Sequence, residues 1–323
     1  MKQISVPSDV GRRRSGRSRA VGSRGSVSAY LFLLPWIIGF LCFSLIPMAA
    51  SLVLSFTDYN LFDKPRFTGL ENFALMFSGD WHFPAALSVT LRYVLIAVPL
   101  QLLVSLLLAF VLNRGVPGLS VFRTLFYIPS LLGSSVAVGI LWRQIFGGEG
   151  VLNIMLTGLG LEWARGVSWI ASPRYALGTI IILRVWQFGS PMIIFLAGLK
   201  QIPQELLEAA EIEGASRLQR SWRISLPMLS PIILFNFVMQ IISAFKVFTE
   251  AFIVSGGASG GGVVGGTLDS LLFYTIHIYS EGFVKFRMGY ASALSWLLLG
   301  IISVFTFISF RFSSKWVFYN EGT

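Results

Sequence analysis

Charge is what this sequence has least of. Only 12% of its 323 residues are Asp, Glu, Lys or Arg, 54% are hydrophobic, and the mean hydropathy is +0.73. A water-soluble domain carries about 25% charged residues, so lipid is the solvent implied for most of this chain. Cysteine is nearly absent: a lone Cys42 excludes an intrachain disulfide and leaves the redox compartment open. The two histidines, His82 and His277, are far apart in sequence and neither shows metal-ligand spacing, which argues against a zinc centre. No G-x-x-x-x-G-K-[ST] phosphate loop occurs, so no nucleotide-binding motif is carried here. Nothing resembles a Ser/His/Asp triad or a catalytic carboxylate pair, so no enzyme is expected and no catalytic residue or metal ligand is assigned. The net charge of +10 would suit nucleic acid, but the basic residues fall between apolar runs, which is a topological pattern and not a groove-binding one.

What is present is a series of long apolar runs. A spanning helix needs about 20 mainly apolar residues. Six segments qualify: Tyr30–Leu54, Tyr93–Leu112, Leu125–Trp142, Tyr175–Leu199, Leu229–Val254 and Tyr290–Phe310. The second has Gln101 and Ser105 as its only strongly polar side chains, and the third is rich in Gly and Ser. The first follows a long basic leader with no convincing cleavage site behind it, so it reads as a retained helix. Lys and Arg accumulate on the cytoplasmic side of a membrane. With the N-terminus inside, fifteen of the 25 basic residues fall inside, eight outside, and Arg184 and Lys246 within spans. Both termini are therefore expected in the cytoplasm. Residues 1–28 mix Arg with Gly and Ser without apolar periodicity and read as a disordered leader that anchors topology, with binding to anionic lipid the alternative. Residues 29–315 form the membrane domain, and 316–323 a short cytoplasmic tail.

The loop between the fourth and fifth spans, residues 200–227, is the most structured of the connections. Pro203 suits a helix start, because its missing N–H would be unpaired there. Glu205 and Glu208 lie early, near the positive end of the helix dipole. Gly214 can close the helix in a left-handed conformation, and Pro227 stands where the next span begins. A short helix along the membrane face follows, coupled to a basic turn. The small side chains of Ala209, Ala210 and Gly214 allow close approach to a partner, and Glu208 is placed to meet a basic group on it.

The spacing Glu208-Ala209-Ala210, three residues, Gly214, nine residues, Ile224-x-Leu226-Pro227 resembles the "EAA" loop of binding-protein-dependent ABC importers. Phe56-Thr-Asp-Tyr-Asn with Phe67-Thr-Gly-Leu-Glu-Asn-Phe73, Arg123-Thr-Leu-Phe-Tyr-Ile-Pro129, Phe195 to Pro203, and Gly289-Tyr-Ala-Ser-Ala-Leu-Ser-Trp296 are similar to segments of carbohydrate permeases in that family. Most of the chain is covered, and the pattern resembles the first of the two permeases in maltose- and glycerol-phosphate-type importers. One departure is the glycine-rich stretch 256–266, where the family often has Gly-Gly-Gly-Pro. The resemblance implies an all-α integral membrane fold of six transmembrane helices with a cytoplasmic coupling helix. It implies a second homologous permease, two copies of a cytoplasmic ATPase that holds ATP and Mg, and an extracytoplasmic sugar-binding protein, all at a bacterial cytoplasmic (inner) membrane. No cofactor is implied for this chain. Glu208, Ala209, Ala210, Gly214, Leu226 and Pro227 become the ATPase-coupling residues.

Ionisable groups within spans are costly and carry function by default. Arg184, with Trp186 and Gln187 nearby, and Asn236, Gln240, Ser243, Phe245, Lys246 and Glu250 are candidates to line a substrate path, with Phe248 a further aromatic. Sugars are read by aromatic faces and hydrogen-bonding groups together. Lys246 and Glu250, at i and i+4, are spaced to pair on one helix face. The rival reading is an ion-coupled secondary transporter using Arg184, Lys246 and Glu250 as a relay; no inverted repeat in the span pattern supports it. The sugar itself is not legible.

Overall fold

The computed structural model describes residues 23–114, 118–133, 135–257, 265–313 and 317. Most of the expected leader, Ser134, the glycines within 258–264 and all of the expected tail except Val317 lie outside them. Helices are the regular structure of the described residues, and their only strand-type pairing is an isolated antiparallel bridge between Thr57 and Phe67.

Residues 1–51 make one unit and 52–323 the other. The first unit holds α1 (Ser23–Phe40), a π-helical turn (Leu41–Leu45) and most of α2 (Ile46–Leu54). Helix begins at Ser23, inside the residues assigned to the leader. From Leu31 onward almost every side chain of this unit is exposed, with Phe32 at 87% and Phe43 at 85%. Bare apolar surface on that scale is at home in lipid and not in water.

The second unit opens with a loop pinned by Asn72, whose Nδ2 donates to the carbonyls of Ser55 (2.9 Å) and Thr57 (2.8 Å). Then follow α3 (Glu71–Ser78) and α4 (His82–Leu112). At 31 residues α4 is about 46 Å long. It starts eleven residues before the expected Tyr93, because the segment from His82 to Arg92 is also helical and packs its Phe83, Ala86 and Val89 into the core. After it come α5 (Leu119–Leu132), α6 (Val136–Phe146), α7 (Val151–Gly158), α8 (Ala176–Trp186), α9 (Gly189–Leu199), α10 (Gln204–Ile212), α11 (Arg217–Arg220), α12 (Leu226–Phe245), α13 (Thr249–Val254), α14 (Tyr274–Tyr279) and α15 (Met288–Ser313). α4 packs against α8, α9 and α12, and this group carries the core; α5 lies on α9, α6 on α13, and α15 on α12 and α14.

Five helical stretches are long and apolar enough to cross a bilayer, and a bent pair makes the sixth. That pair corrects the expected third span. Leu125–Trp142 is not one helix: Val121–Leu132 and Val136–Gly158 meet at 96°. Ser135 ends the continuity by turning extended and accepting the Val138 N–H on its Oγ, which starts a new helix. The fourth span crosses but breaks at Gln187–Phe188. The Gln187 carbonyl there accepts from Gln101 Nε2 (2.9 Å) and Ser130 Oγ (2.9 Å), so side chains from α4 and α5 hold the break open. The fifth stretch begins early, at Arg217, runs through a π-helical turn (Ser221–Ser225), and breaks again at Lys246–Phe248.

Close approach of α9 and α5 depends on Gly189. A β-carbon there would lie 2.5 Å from the Phe126 carbonyl oxygen and 2.8 Å from the Tyr127 α-carbon, which are backbone atoms that cannot swing aside.

Candidate functional site

Three groups of polar residues stand out from this apolar frame. One is at the α10 end of the bundle, one within it, and one at the opposite end of α4.

At the first, Pro203 occupies the cap position before α10 and Glu205 its first turn. Gln204 Nε2 donates to Glu208 Oε1 (2.7 Å), so Glu208 is anchored to the helix start. Gly214 takes φ +85°, with nothing within 4 Å of where a β-carbon would stand, so its requirement is conformational. A capping box follows: Ser216 Oγ accepts the Gln219 N–H, and Gln219 Oε1 accepts the Ser216 N–H. Arg220 reaches back to Glu211 Oε2 (2.6 Å) and the Leu207 carbonyl (3.4 Å), clamping α10 to α11. Leu206, Glu208, Ala209 and Ile212 stay exposed, Ile212 at 88%. An open hollow of about 450 Å³ beside them is lined by Ala210, Gly214, Arg220 and Arg223 among others. Leu226 and Pro227, at the start of α12, are partly buried and belong to the span. The helix therefore presents an uncovered, partly apolar face on a rigidly capped mount.

Within the bundle, Arg184 is forked between two helices. Its Nε donates to Gln101 Oε1 of α4 (3.0 Å) and its Nη2 to Gln240 Oε1 of α12 (2.6 Å). Gln187 Nε2 donates to the Gly133 carbonyl (3.1 Å), and Ser130 Oγ accepts the Ser190 N–H (3.0 Å). A hollow of about 190 Å³ opens among Gln101, Ser130, Arg184, Gln187, Gln240 and Ser243. Of the residues expected to line a path, Arg184, Gln187, Gln240 and Ser243 come together here. Trp186 lies alongside on Trp142, ring centroids 5.9 Å apart, and is 37% exposed.

The others do not join them. Phe245 is fully buried against Phe305. Asn236 is 1% exposed and its amide atoms have no hydrogen-bond partner among the described residues. The expected Lys246–Glu250 pair is corrected as well. Lys246 caps the end of α12 and Glu250 is on α13 beyond the break, so the two do not share one helix face and no ion pair joins them. Phe248 stacks on Phe252 and meets Tyr279. Gln101 and Ser130 were not among the expected site residues, although Gln101 stood out as a polar residue in its span.

The third group was invisible in sequence. Asp80 Oδ2 lies 2.8 Å from His277 Nε2 and accepts the Tyr290 hydroxyl at 2.5 Å, while Oδ1 accepts the His82 N–H. His82 Nδ1 lies 2.8 Å from Asp269 Oδ2, and the two imidazole rings are 6.5 Å apart. Glu281 pairs with Lys285 (2.6 Å) and Arg287 (3.0 Å), and the Arg287 guanidinium covers the Tyr290 ring. One His, one Asp and one Glu thus meet, although sequence spacing gave no metal pattern. Burial pushes His277 below its ordinary pKa, against the pull of Asp80. For Asp80 burial acts upward, but the bonds from Tyr290 and His277 outweigh it and hold the carboxyl below its usual range.

A bundle with broken spans, a polar hollow at its middle and a capped helix displayed at one end defines a membrane permease architecture. Residues 76–318 match the family described as binding-protein-dependent transport system inner membrane component, and the chain belongs to that family. It is 50% identical over 305 residues, 94% of this chain and 96% of the relative, to a probable ABC transporter permease protein, YesP, of Bacillus subtilis (strain 168). It is 32% identical to the arabinooligosaccharides transport system permease protein AraP of the same organism, over 91% of this chain and 90% of that one. Among solved structures, a chain of a bacterial alginate ABC transporter in complex with an alginate pentasaccharide-bound periplasmic protein superposes with a TM-score of 0.77. It covers 90% of this chain and 95% of the other at 23% identity, a likeness of fold.

Proposed function

We propose that this chain is a permease subunit of an ATP-driven importer that carries a sugar, a di- or oligosaccharide or a related polyol, across the bacterial cytoplasmic membrane. The observation that carries this reading is α10: a helix with an exposed face, fixed by Gly214, the Ser216–Gln219 capping box and the Arg220 clamp. An ordinary connector has no need of such rigidity. A helix so mounted passes the closure of a partner ATPase to α9 and α12 as a rigid-body movement. Its relatives' names, a permease for arabinooligosaccharides among them, support the substrate class.

In this reading ATP and Mg are held by two copies of a partner ATPase, with α10 docked on one. A second homologous permease closes the pathway, and an extracytoplasmic binding protein delivers the sugar at the Asp80 end. The termini then lie in the cytoplasm. Substrate passes the Arg184 hollow. The guanidinium and the carboxamides of Gln101, Gln187 and Gln240 exchange hydrogen bonds with hydroxyls, and the Trp186 ring offers an apolar face. The hollow alone is small for an oligosaccharide, so the second permease supplies the facing wall.

The test is ATP-dependent uptake into vesicles that hold this chain with its partner permease, ATPase and binding protein, comparing wild type with Glu208→Lys and Gly214→Asp. Loss of uptake together with loss of the ATPase from the membrane is expected. Normal transport by both variants would make α10 a mere connector.

A further inference from the structure

At the end of α4 opposite Asp80, a cavity of about 170 Å³ lies between that helix and the α10–α11 segment. Three arginines line it, Arg114, Arg217 and Arg220, together with Asn113; Arg220 is half-buried, and Arg114, Arg217 and Asn113 are exposed. Phe110 and Leu207 form part of its wall. Arg220 is engaged by Glu211 and the Leu207 carbonyl. Arg114 and Arg217 have no ion pair and no side-chain hydrogen bond among the described residues. No acidic residue lines the cavity, and Glu211, the partner of Arg220, holds it from a largely exposed position.

Scattered positive charge at a membrane face needs no ligand to explain it, because it fixes topology. This arrangement differs in being concave and in having its charges on two separate chain segments. The negative end of the α4 dipole attracts one cation, Arg114, but gives no reason for Arg217 to approach it. Like charges gathered on one hollow repel, weakly where water screens them, and an anion bound between them turns that repulsion into attraction. Guanidinium forks match the oxygens of a phosphate in geometry and charge, and a basic pocket beside the ends of spanning helices suits a phospholipid headgroup. The apolar wall from Phe110 and Leu207 suits the carbon next to that headgroup.

We propose that Asn113, Arg114, Arg217 and Arg220 form a binding site for a phosphate-bearing anion at the membrane interface. The bound phosphate bridges the end of α4 to α11 and so braces the mount of α10. Its source is the headgroup of an anionic phospholipid or free phosphate. The inference needs only that the chain spans a bilayer, and it stands whether or not α10 docks an ATPase.

The experiment uses the full chain in neutral detergent. Bound phosphatidylglycerol and phosphatidylcholine are read by native mass spectrometry, and melting is followed with inorganic phosphate against chloride of equal ionic strength. Arg114→Gln/Arg217→Gln is compared with wild type, with the charge-keeping Arg114→Lys/Arg217→Lys, and with Arg66→Gln/Arg165→Gln, which removes the same charge elsewhere. We expect the first variant to hold phosphatidylglycerol about ten-fold less well or worse, the Lys variant to recover part of the loss, and the distant variant to match wild type. Phosphatidylcholine should be unaffected. A melting rise specific to phosphate, present in wild type and absent from Arg114→Gln/Arg217→Gln, with no lipid difference, assigns the site to free phosphate. Equal lipid and phosphate responses in wild type and Arg114→Gln/Arg217→Gln, or an equal loss in the distant variant, would overturn the site.

Discussion

Replacing Arg184 and replacing its partner Gln240 should have opposite balances of stability and function. Arg184 is partly buried in the bundle and makes two charge-assisted hydrogen bonds to neutral carboxamides, at 3.0 and 2.6 Å. Such bonds are worth about 1.5–3 kcal/mol each in water-soluble proteins, and side-chain bonds between membrane helices average about 0.6 with a ceiling near about 1.7 kcal/mol. The two together therefore contribute about 1–3 kcal/mol. Arg184→Met forfeits that, but it also removes the cost of holding a charge away from water, which is of the same order or larger. Its net stability change is expected within about 1 kcal/mol of zero. Gln240→Leu keeps the charge and removes a partner, so its cost stands unopposed at about 1–3 kcal/mol. Unfolding in mixed micelles measures both, and vesicle uptake measures function. Arg184→Met should unfold near wild type yet lose uptake, whereas Gln240→Leu should unfold sooner. If Arg184→Met is the less stable of the two, or transports normally, the fork is a structural strut and the account of the hollow fails.

Two further outcomes follow from the geometry. Gly189→Ala sets a β-carbon against the backbone of α5, so the helices must part, at a cost of about 1–3 kcal/mol; a melting temperature equal to wild type would show the α5–α9 contact to be looser than described. His277 and Asp80 both have lowered pKa values in the fold. The unfolded chain then binds more protons, so stability is full above the unfolded His value near 6.5 and falls as acid carries the pH down toward the folded value of His277. The Asp80 contribution is lost at still lower pH, below 3.8. A melting curve taken from pH 7.5 to 5 should decline, and His277→Gln should flatten it; an unchanged slope would place the acid sensitivity elsewhere.

Much of the architecture was legible in order and composition. Continuous apolar runs of about 20 residues and scarce charge dictate an all-α membrane protein, because lipid allows only helices or closed barrels, and barrel strands are shorter and alternate. The α10 loop was equally readable, since Pro203, Glu205 and Gly214 act within a few residues of themselves: the cap, the first turn and the left-handed stop are local properties of the chain. Tertiary structure decided the rest. The break at Gln187 exists because Gln101 and Ser130, 86 and 57 residues away, take up its carbonyl. The break at Lys246 separates it from Glu250, so i,i+4 spacing did not yield a pair. Asp80, His277 and Tyr290 meet across about 200 residues of chain, with no periodicity to announce it. Sequence determines where a helix is favoured and what solvent surrounds it. Which polar side chains find each other inside the bundle is settled by long-range packing, where each buried donor takes whatever acceptor the fold brings within reach.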